Sequence, residues 1–261
     1  MDLRAFWLTT GKLRPFGLFK LPHLTALGIF ALICLGIILW KEKLREPKAD
    51  RMCRIIMFFV LASQQALYYI WSLKSGMSLV NILPLHICGF SVFLCLIALV
   101  NQDAKLFSII YFFAFSGTLQ AILTPSMDGY NFPHFRFFQF FAGHILIITV
   151  ALYFKVVKGF KIKFLSLLQA FVVLNILAAA AFAANIMSGT NYMFLLHKPD
   201  SFSLLSVLAP WPYYLIELEL LGFIVFLLIY ATTNIKSLVS FLHRFWKRPW
   251  VSPKQDIKGG V

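Results

Sequence analysis

Asn81-Ile-Leu-Pro-Leu-His-Ile-Cys-Gly-Phe90 lies inside an apolar run from about Leu79 to Val100, and its reading decides the fold. About 20 residues at roughly 1.5 Å each span the hydrocarbon core of a bilayer, so the run predicts a membrane-crossing helix. It carries Pro84, His86 and Cys88 with it. A histidine and a thiol at such depth lose hydration, and an ionisable group inside a membrane is a functional-site candidate by default.

The rest of the chain agrees with that reading. Its 261 residues are 60% hydrophobic and 13% charged, with 29 Phe against 14 Gly. Soluble domains carry nearer a quarter charged residues, so the class is a polytopic membrane protein. The net charge of +14 does not point to nucleic acid, because the basic residues cluster between apolar runs, as they do in loops held at an anionic membrane face. Cys34, Cys53, Cys88 and Cys95 all fall in or beside apolar runs without CxxC spacing, which argues against a disulfide framework or a zinc knuckle. No cleavable signal peptide is expected, since the first apolar run is of spanning length and no small-residue cleavage site follows it.

The fold class is all-α: a transmembrane bundle of about seven spanning helices, expected at about 21–40, 54–73, 79–100, 105–124, 135–154, 163–186 and 211–233. Residues 1–20 mix Lys12, Arg14 and Lys20 with Phe6, Trp7, Phe16 and Phe19 and read as an interfacial segment. Residues 21–235 form the seven-helix domain. Residues 236–261 read as a basic amphipathic tail on the inner surface, with Leu238, Phe241, Leu242 and Phe245 at helical spacing. Seventeen of the 24 basic residues fall in the connections after helices one, three and five and in the tail. The positive-inside rule then places the N-terminus out and the C-terminus in. The connection from Ser188 to Pro210 is too apolar for an ordinary solvated loop and reads as a lid or re-entrant segment.

The intramembrane polar residues share one level. Counted from the outward ends of their helices, His86 and Cys88, then Gln139 and His144 with Arg136 at the mouth, then Glu217 and Glu219, all fall in the outer half. Gln64, Gln65, Gln120 and Asn185 sit toward the outward ends of the helices that run the other way. The inner halves are nearly all apolar. Gln and Asn often serve as packing bonds worth about 0.6 kcal/mol each. A carboxylate at such depth costs several kcal/mol unless it is paired or protonated. One polar chamber open to the outside accounts for the shared level. On a continuous helix His86 and Cys88 point roughly 200° apart, so a dyad between them is unlike the expectation, and either one is free to meet His144 across the chamber. An inward carboxylate would orient an imidazole acting as general base. The spacing matches no recognised metal-ligand motif, and neither a metal nor another cofactor is expected.

Leu83-Pro-Leu-His-Ile-Cys88, Phe132-Pro-His-Phe-Arg-Phe137 with His144 following, Gly189-Thr-Asn-Tyr-Met-Phe194 with Lys198-Pro199, and Pro210-Trp-Pro-Tyr213 together resemble the YwaF-type bacterial integral membrane family. That family is in turn similar to the eukaryotic transmembrane-164 family. The resemblance implies phospholipid acyl transfer by a cysteine and a histidine. In the eukaryotic pattern Asn-Pro-Cys-His opens the corresponding helix; here Leu83, Pro84, Leu85 and His86 match it. The nucleophile's position holds inert Leu85, and Cys88, one turn deeper, stands in for it. His144 matches the family's later histidine.

The leading expectation is an acyltransferase or hydrolase acting on lipid acyl groups from the outer leaflet of a bacterial cytoplasmic membrane. His144 would be the general base, His86 or Cys88 the nucleophile or second base, and Glu217 or Glu219 the orienting carboxylate. Gln64, Gln120, Arg136, Gln139, Asn191, Tyr192 and Lys198 would contact the substrate. The partners implied are membrane lipids and lipidated proteins. Two other classes fit the composition: a proton-coupled transporter or channel, and a non-catalytic partner of another membrane protein.

Overall fold

The computed structural model describes residues 6–7, 16–127, 129–198 and 204–235. The tail from Lys236, expected to be amphipathic, and most of the segment 1–20 lie outside the described residues.

Seven apolar helices occupy the expected positions: α1 (Leu21–Leu39), α2 (Pro47–Lys74), α3 (Ile87–Asn101), α4 (Ala104–Leu123), α5 (Phe135–Val156), α6 (Phe164–Ser188) and α7 (Tyr214–Thr233). All but α3 are long and apolar enough to cross a membrane, and α3 is an apolar helix of 15 residues. No strand occurs among the described residues. Local chemistry sets the boundaries. Pro residues stand in the first turn of α1 and α2, where the missing N–H has no partner to lose. The Asp103 carboxylate caps α4 by accepting from the Lys105 and Leu106 N–H groups at 2.8 Å each. The α6 chain ends at Gly189 in the left-handed region, φ 67°, where glycine has no Cβ to clash.

The start of α3 differs from the expectation. Pro84 holds Leu83 in extended backbone (φ −60°, ψ 144°), the Leu85 N–H closes a tight turn on the Leu83 carbonyl at 2.8 Å, and His86, again extended (φ −79°, ψ 148°), becomes the N-cap residue. Residues 79–86 thus run into the bundle as a 3₁₀ turn and a bent, non-helical piece, and the helix starts only at Ile87. Gly89 makes this possible, because a Cβ there would lie 3.3 Å from the Pro84 Cα. Leu85 and Cys88 consequently do not share one helical face. Leu85 packs beside Ala181, Tyr192 and Leu195, whereas Cys88 packs against the main core.

α5 is the central helix, packed against α1, α2, α3 and α4, while α6 and α7 form an outer layer beside α4. Between helices in lipid the hydrophobic effect is weak, so close packing and interhelical polar bonds hold the bundle. The strongest polar clamp lies at the end where α2 begins. There the buried Asp50 carboxylate accepts from Tyr153 Oη at 2.8 Å, Lys158 Nζ at 3.0 Å and Arg54 Nε at 3.2 Å. Arg54 also donates to the Leu99 carbonyl at 2.7 Å, which fastens α3 to the same level. The opposite end, where α1, α3, α5 and α7 begin, carries the candidate site.

Candidate functional site

Cys88 lies 13 residues before the last residue of α3, and His144 lies 12 before the last residue of α5. The Asp50 clamp ties those two helix ends together. At 1.5 Å per residue both side chains therefore sit about 18–20 Å above it, on neighbouring helices.

His144 differs from buried His23 and His134 and from half-buried His86 in which nitrogen it leaves available. Its Nδ1 lies 2.7 Å from the Phe140 carbonyl, which can only accept, so Nδ1 carries the proton. The ring stacks on Phe140 at 4.0 Å, which fixes its plane. Nε2 is left with the lone pair and has no hydrogen-bond partner among the described residues. His23, His86 and His134 are held the opposite way: each accepts a backbone N–H at Nδ1, from Phe19, Met193 and Arg136 respectively. His144 is thus the buried imidazole whose basic nitrogen the backbone does not occupy.

A polar chain leads from the mouth to this level. The Arg136 guanidinium lies over the Tyr68 ring at 4.7 Å and the Trp71 ring at 5.5 Å, and it donates to Gln139 Oε1. Gln139 donates to Gln64 Oε1 at 3.0 Å, and Gln64 donates to the Leu61 carbonyl at 3.1 Å. Gly143 gives Gln64 its room, since a Cβ there would stand 3.1 Å from Gln64 Oε1. Opposite, α4 loosens into a π turn over Ala114–Thr118, packed against α3, α5 and α7. Gly117 of this turn lies against Ile87, the neighbour of Cys88, and buried Thr118 bonds back to the Phe113 carbonyl at 3.3 Å. Single π turns inside helices concentrate at functional sites, and this one adjoins the candidate thiol.

His86 belongs to a second, shallower neighbourhood under the connection between α6 and α7. Its ring meets Tyr192 at 5.1 Å and Phe194 at 6.1 Å. Met193 and Phe194 both stand in the left-handed region, φ 56° and 57°, which is costly for residues with side chains. That turn aims the Met193 N–H at His86 Nδ1, 3.3 Å away. Asn185, fully buried in α6, holds the turn by accepting from the Tyr192 N–H (2.7 Å) and Thr190 Oγ1 (2.9 Å) and donating to the Tyr192 carbonyl (3.0 Å). Burial pushes the Tyr192 phenol pKa up, so it stays a neutral donor to the Val80 carbonyl. Asn191 gathers the next stretch through the Leu196 N–H (3.0 Å) and the His197 carbonyl (2.8 Å). Lys198 reaches back to the Leu208 carbonyl and lies 5.7 Å from the Tyr214 ring. Asn81, His86, Ser188, Gly189, Thr190, Asn191 and Tyr192 line a polar cleft of about 410 Å³ here. Asn185→Ala strands three partners and is expected to cost about 1–3 kcal/mol. Limited proteolysis in micelles should then cut within residues 189–198 at temperatures where the wild type resists, and unchanged resistance would rule out this role.

The structure parts from the expected chamber in three places. Glu217 is exposed and accepts the Ala209 N–H at 2.7 Å, so it ties the connection to α7 and does not orient an imidazole. Glu219 is exposed on the outer face and accepts from Asn175 Nδ2 at 2.8 Å. The acceptor that orients His144 is the Phe140 carbonyl instead. Gln120 is exposed as well. Conversely, sequence reasoning passed over His23, buried with Nε2 donating to the Ile122 carbonyl at 2.8 Å, and His134, which caps α5 beneath Tyr130. Both stand in the first turn or at the cap of an apolar helix at this same end, and that position was the available signal. Among the described residues no three His, Cys, Asp or Glu side chains gather as a metal site.

A family model described as the TMEM164 family matches residues 18–230. No curated protein and no solved structure matches the chain.

Proposed function

Since the chain belongs to the TMEM164 family, we propose that this multi-pass membrane protein moves ester-linked acyl groups between membrane lipids, with Cys88 as nucleophile and His144 as general base. The observation that carries the proposal is the His144 ring, its Nδ1–H fixed to the Phe140 carbonyl and its Nε2 lone pair unclaimed at the level of Cys88.

The chemistry then balances as follows. Cys88 Sγ–H gives its proton to His144 Nε2, and the thiolate bonds to the ester carbonyl carbon. The tetrahedral intermediate collapses, the ester C–O bond breaks, and the leaving lyso-lipid alcohol takes the proton from His144. An acceptor hydroxyl attacks the thioester and gives its proton to His144, and the imidazole returns a proton to Cys88 as the new ester departs. With water as acceptor the same sequence is hydrolysis. His86, Asn191 and Tyr192 would hold the polar head in their cleft, and Lys198 would steady the connection above it. Gln64, Gln139 and Arg136 would line the route between the mouth and the thiol. In this reading the site end faces outward across a bacterial cytoplasmic membrane.

Purified protein reconstituted with a phospholipid labelled on one acyl chain should yield lyso-lipid together with an equimolar labelled acceptor, or free labelled fatty acid. If label remains wholly on the donor, as it does in protein-free vesicles, the proposal fails.

A further inference from the structure

Asn175 lies 11 residues after the start of α6 and 13 before its end, and Glu219 lies 14 residues before the end of α7. At 1.5 Å per residue Asn175 sits about 16–20 Å from either end of α6, and Glu219, bonded to it, sits about 21 Å from the end of α7 and about 8 Å from its start, so both lie within the span of a hydrocarbon core roughly 30 Å thick. Both are exposed on the outside of the bundle. The contacts of α7 confirm the register: the Phe223 ring meets Phe171 at 5.1 Å, and a Cβ on Gly222 would lie 3.9 Å from Leu174. A carboxylate facing lipid at that depth is costly, so intramembrane ionisable groups normally face a partner.

The hydrogen-bond inventory says what kind of partner fits. Asn175 Nδ2 spends its two protons on the Phe171 carbonyl (3.0 Å) and on Glu219 Oε1 (2.8 Å). What remains outward is Asn175 Oδ1 and Glu219 Oε2, two acceptors bearing negative charge. A second copy of the same face would set acceptors against acceptors. Beside them, Ala179 and Ala183 follow Asn175 at four-residue spacing and are exposed. Small residues at that spacing let another helix backbone approach closely. The helix α7 itself is little covered, with only Tyr214 and Phe226 buried among its residues.

We propose that the outer face of α6 and α7 docks a transmembrane helix of another protein that presents a lysine or arginine within the bilayer to Asn175 and Glu219. One ammonium or guanidinium supplies several donors to the two open acceptors and neutralises the carboxylate. This surface is independent of the acyl-transfer site and stands or falls separately.

The probe is a synthetic polyleucine helix of about 22 residues with one central lysine, compared with the same peptide with leucine there. Energy transfer between labelled full-length protein and labelled peptide in lipid vesicles reads the association. The lysine peptide should bind at least about tenfold more tightly than the leucine peptide. Glu219→Leu and Glu219→Gln should remove that preference and Asn175→Ala should weaken it, with thermal unfolding of the three variants checked alongside. Equal binding of the two peptides overturns the proposal, as does a preference that survives Glu219→Leu. Glu219-dependent association of the protein with itself would replace it with a homodimer, and absence of any association would leave the face to lipid.

Discussion

Asp50→Ala is expected to destabilise the protein by about 3–5 kcal/mol, the range for removing one partner of a buried ion pair. The carboxylate side chain is only 10% exposed, and it neutralises Arg54 and Lys158, whose side chains are 15% and 24% exposed. Alanine leaves two sheltered cations facing each other with no counter-charge, and it leaves Tyr153 Oη with only its longer bond, 3.4 Å, to the Leu44 carbonyl. The substitution is therefore expected to cost more than any one of the three bonds. Tyr153→Phe should cost about 1 kcal/mol, because it removes one hydrogen bond and leaves the ion pairs. Lys158→Ala should fall between them, since Arg54 still answers the carboxylate. Asp50→Asn should resemble alanine more than aspartate, because the amide nitrogen meets two donors. Reversible unfolding in mixed micelles, followed by Trp fluorescence, ranks the four variants. Raising salt should barely shift the ranking, as partly buried pairs are weakly screened. If Asp50→Ala unfolds no earlier than Tyr153→Phe, the clamp does not hold the helix ends together and the level shared by Cys88 and His144 needs another cause.

The membrane class and the placing of the helices were legible because each apolar run is about as long as a bilayer is thick, and that test needs no knowledge of neighbours. The distances of Cys88 and His144 from the Asp50 end of their helices follow from residue count in the same way. The direction of a side chain around the axis was not legible. Hydrophobic residues surround α7 on every side, so nothing in the sequence marks which face of it carries Glu219 outward. The N-terminal limit of α3 was misplaced because Leu79 to Leu85 continues the apolar run of the helix that follows, and Pro84 is the residue that signals the break. His86 and Cys88 were consequently compared around a helix that does not contain His86. The orienting group of His144 was illegible in principle, since a main-chain carbonyl leaves no mark in composition.

His144→Asn should lower acyl transfer by about 10²–10⁴-fold, the usual range for loss of a general base. Asparagine is the informative replacement. Its side-chain amide can still donate to the Phe140 carbonyl as Nδ1 does, so the local tie survives while the basic nitrogen at Nε2 is lost. Loss of activity without loss of fold then isolates the proton transfer from the packing. Cys88→Ala should be at least as severe, because no thioester can form, and the labelled acyl-enzyme visible in wild type after rapid quenching should vanish. Cys88→Ser should retain a trace, its hydroxyl being the weaker nucleophile at neutral pH. Groups that act as one unit are not additive. The double variant His144→Asn/Cys88→Ala should therefore be about as slow as the slower single variant. A double variant slower by the product of the two single losses would mean that thiol and imidazole serve separate purposes. Wild-type turnover in either single variant would remove the residue concerned from the chemistry altogether. The π turn offers the remaining discrimination: Thr118→Val keeps the side-chain volume but removes the bond to the Phe113 carbonyl, so it should alter the rate less than His144→Asn while leaving acyl-enzyme formation detectable.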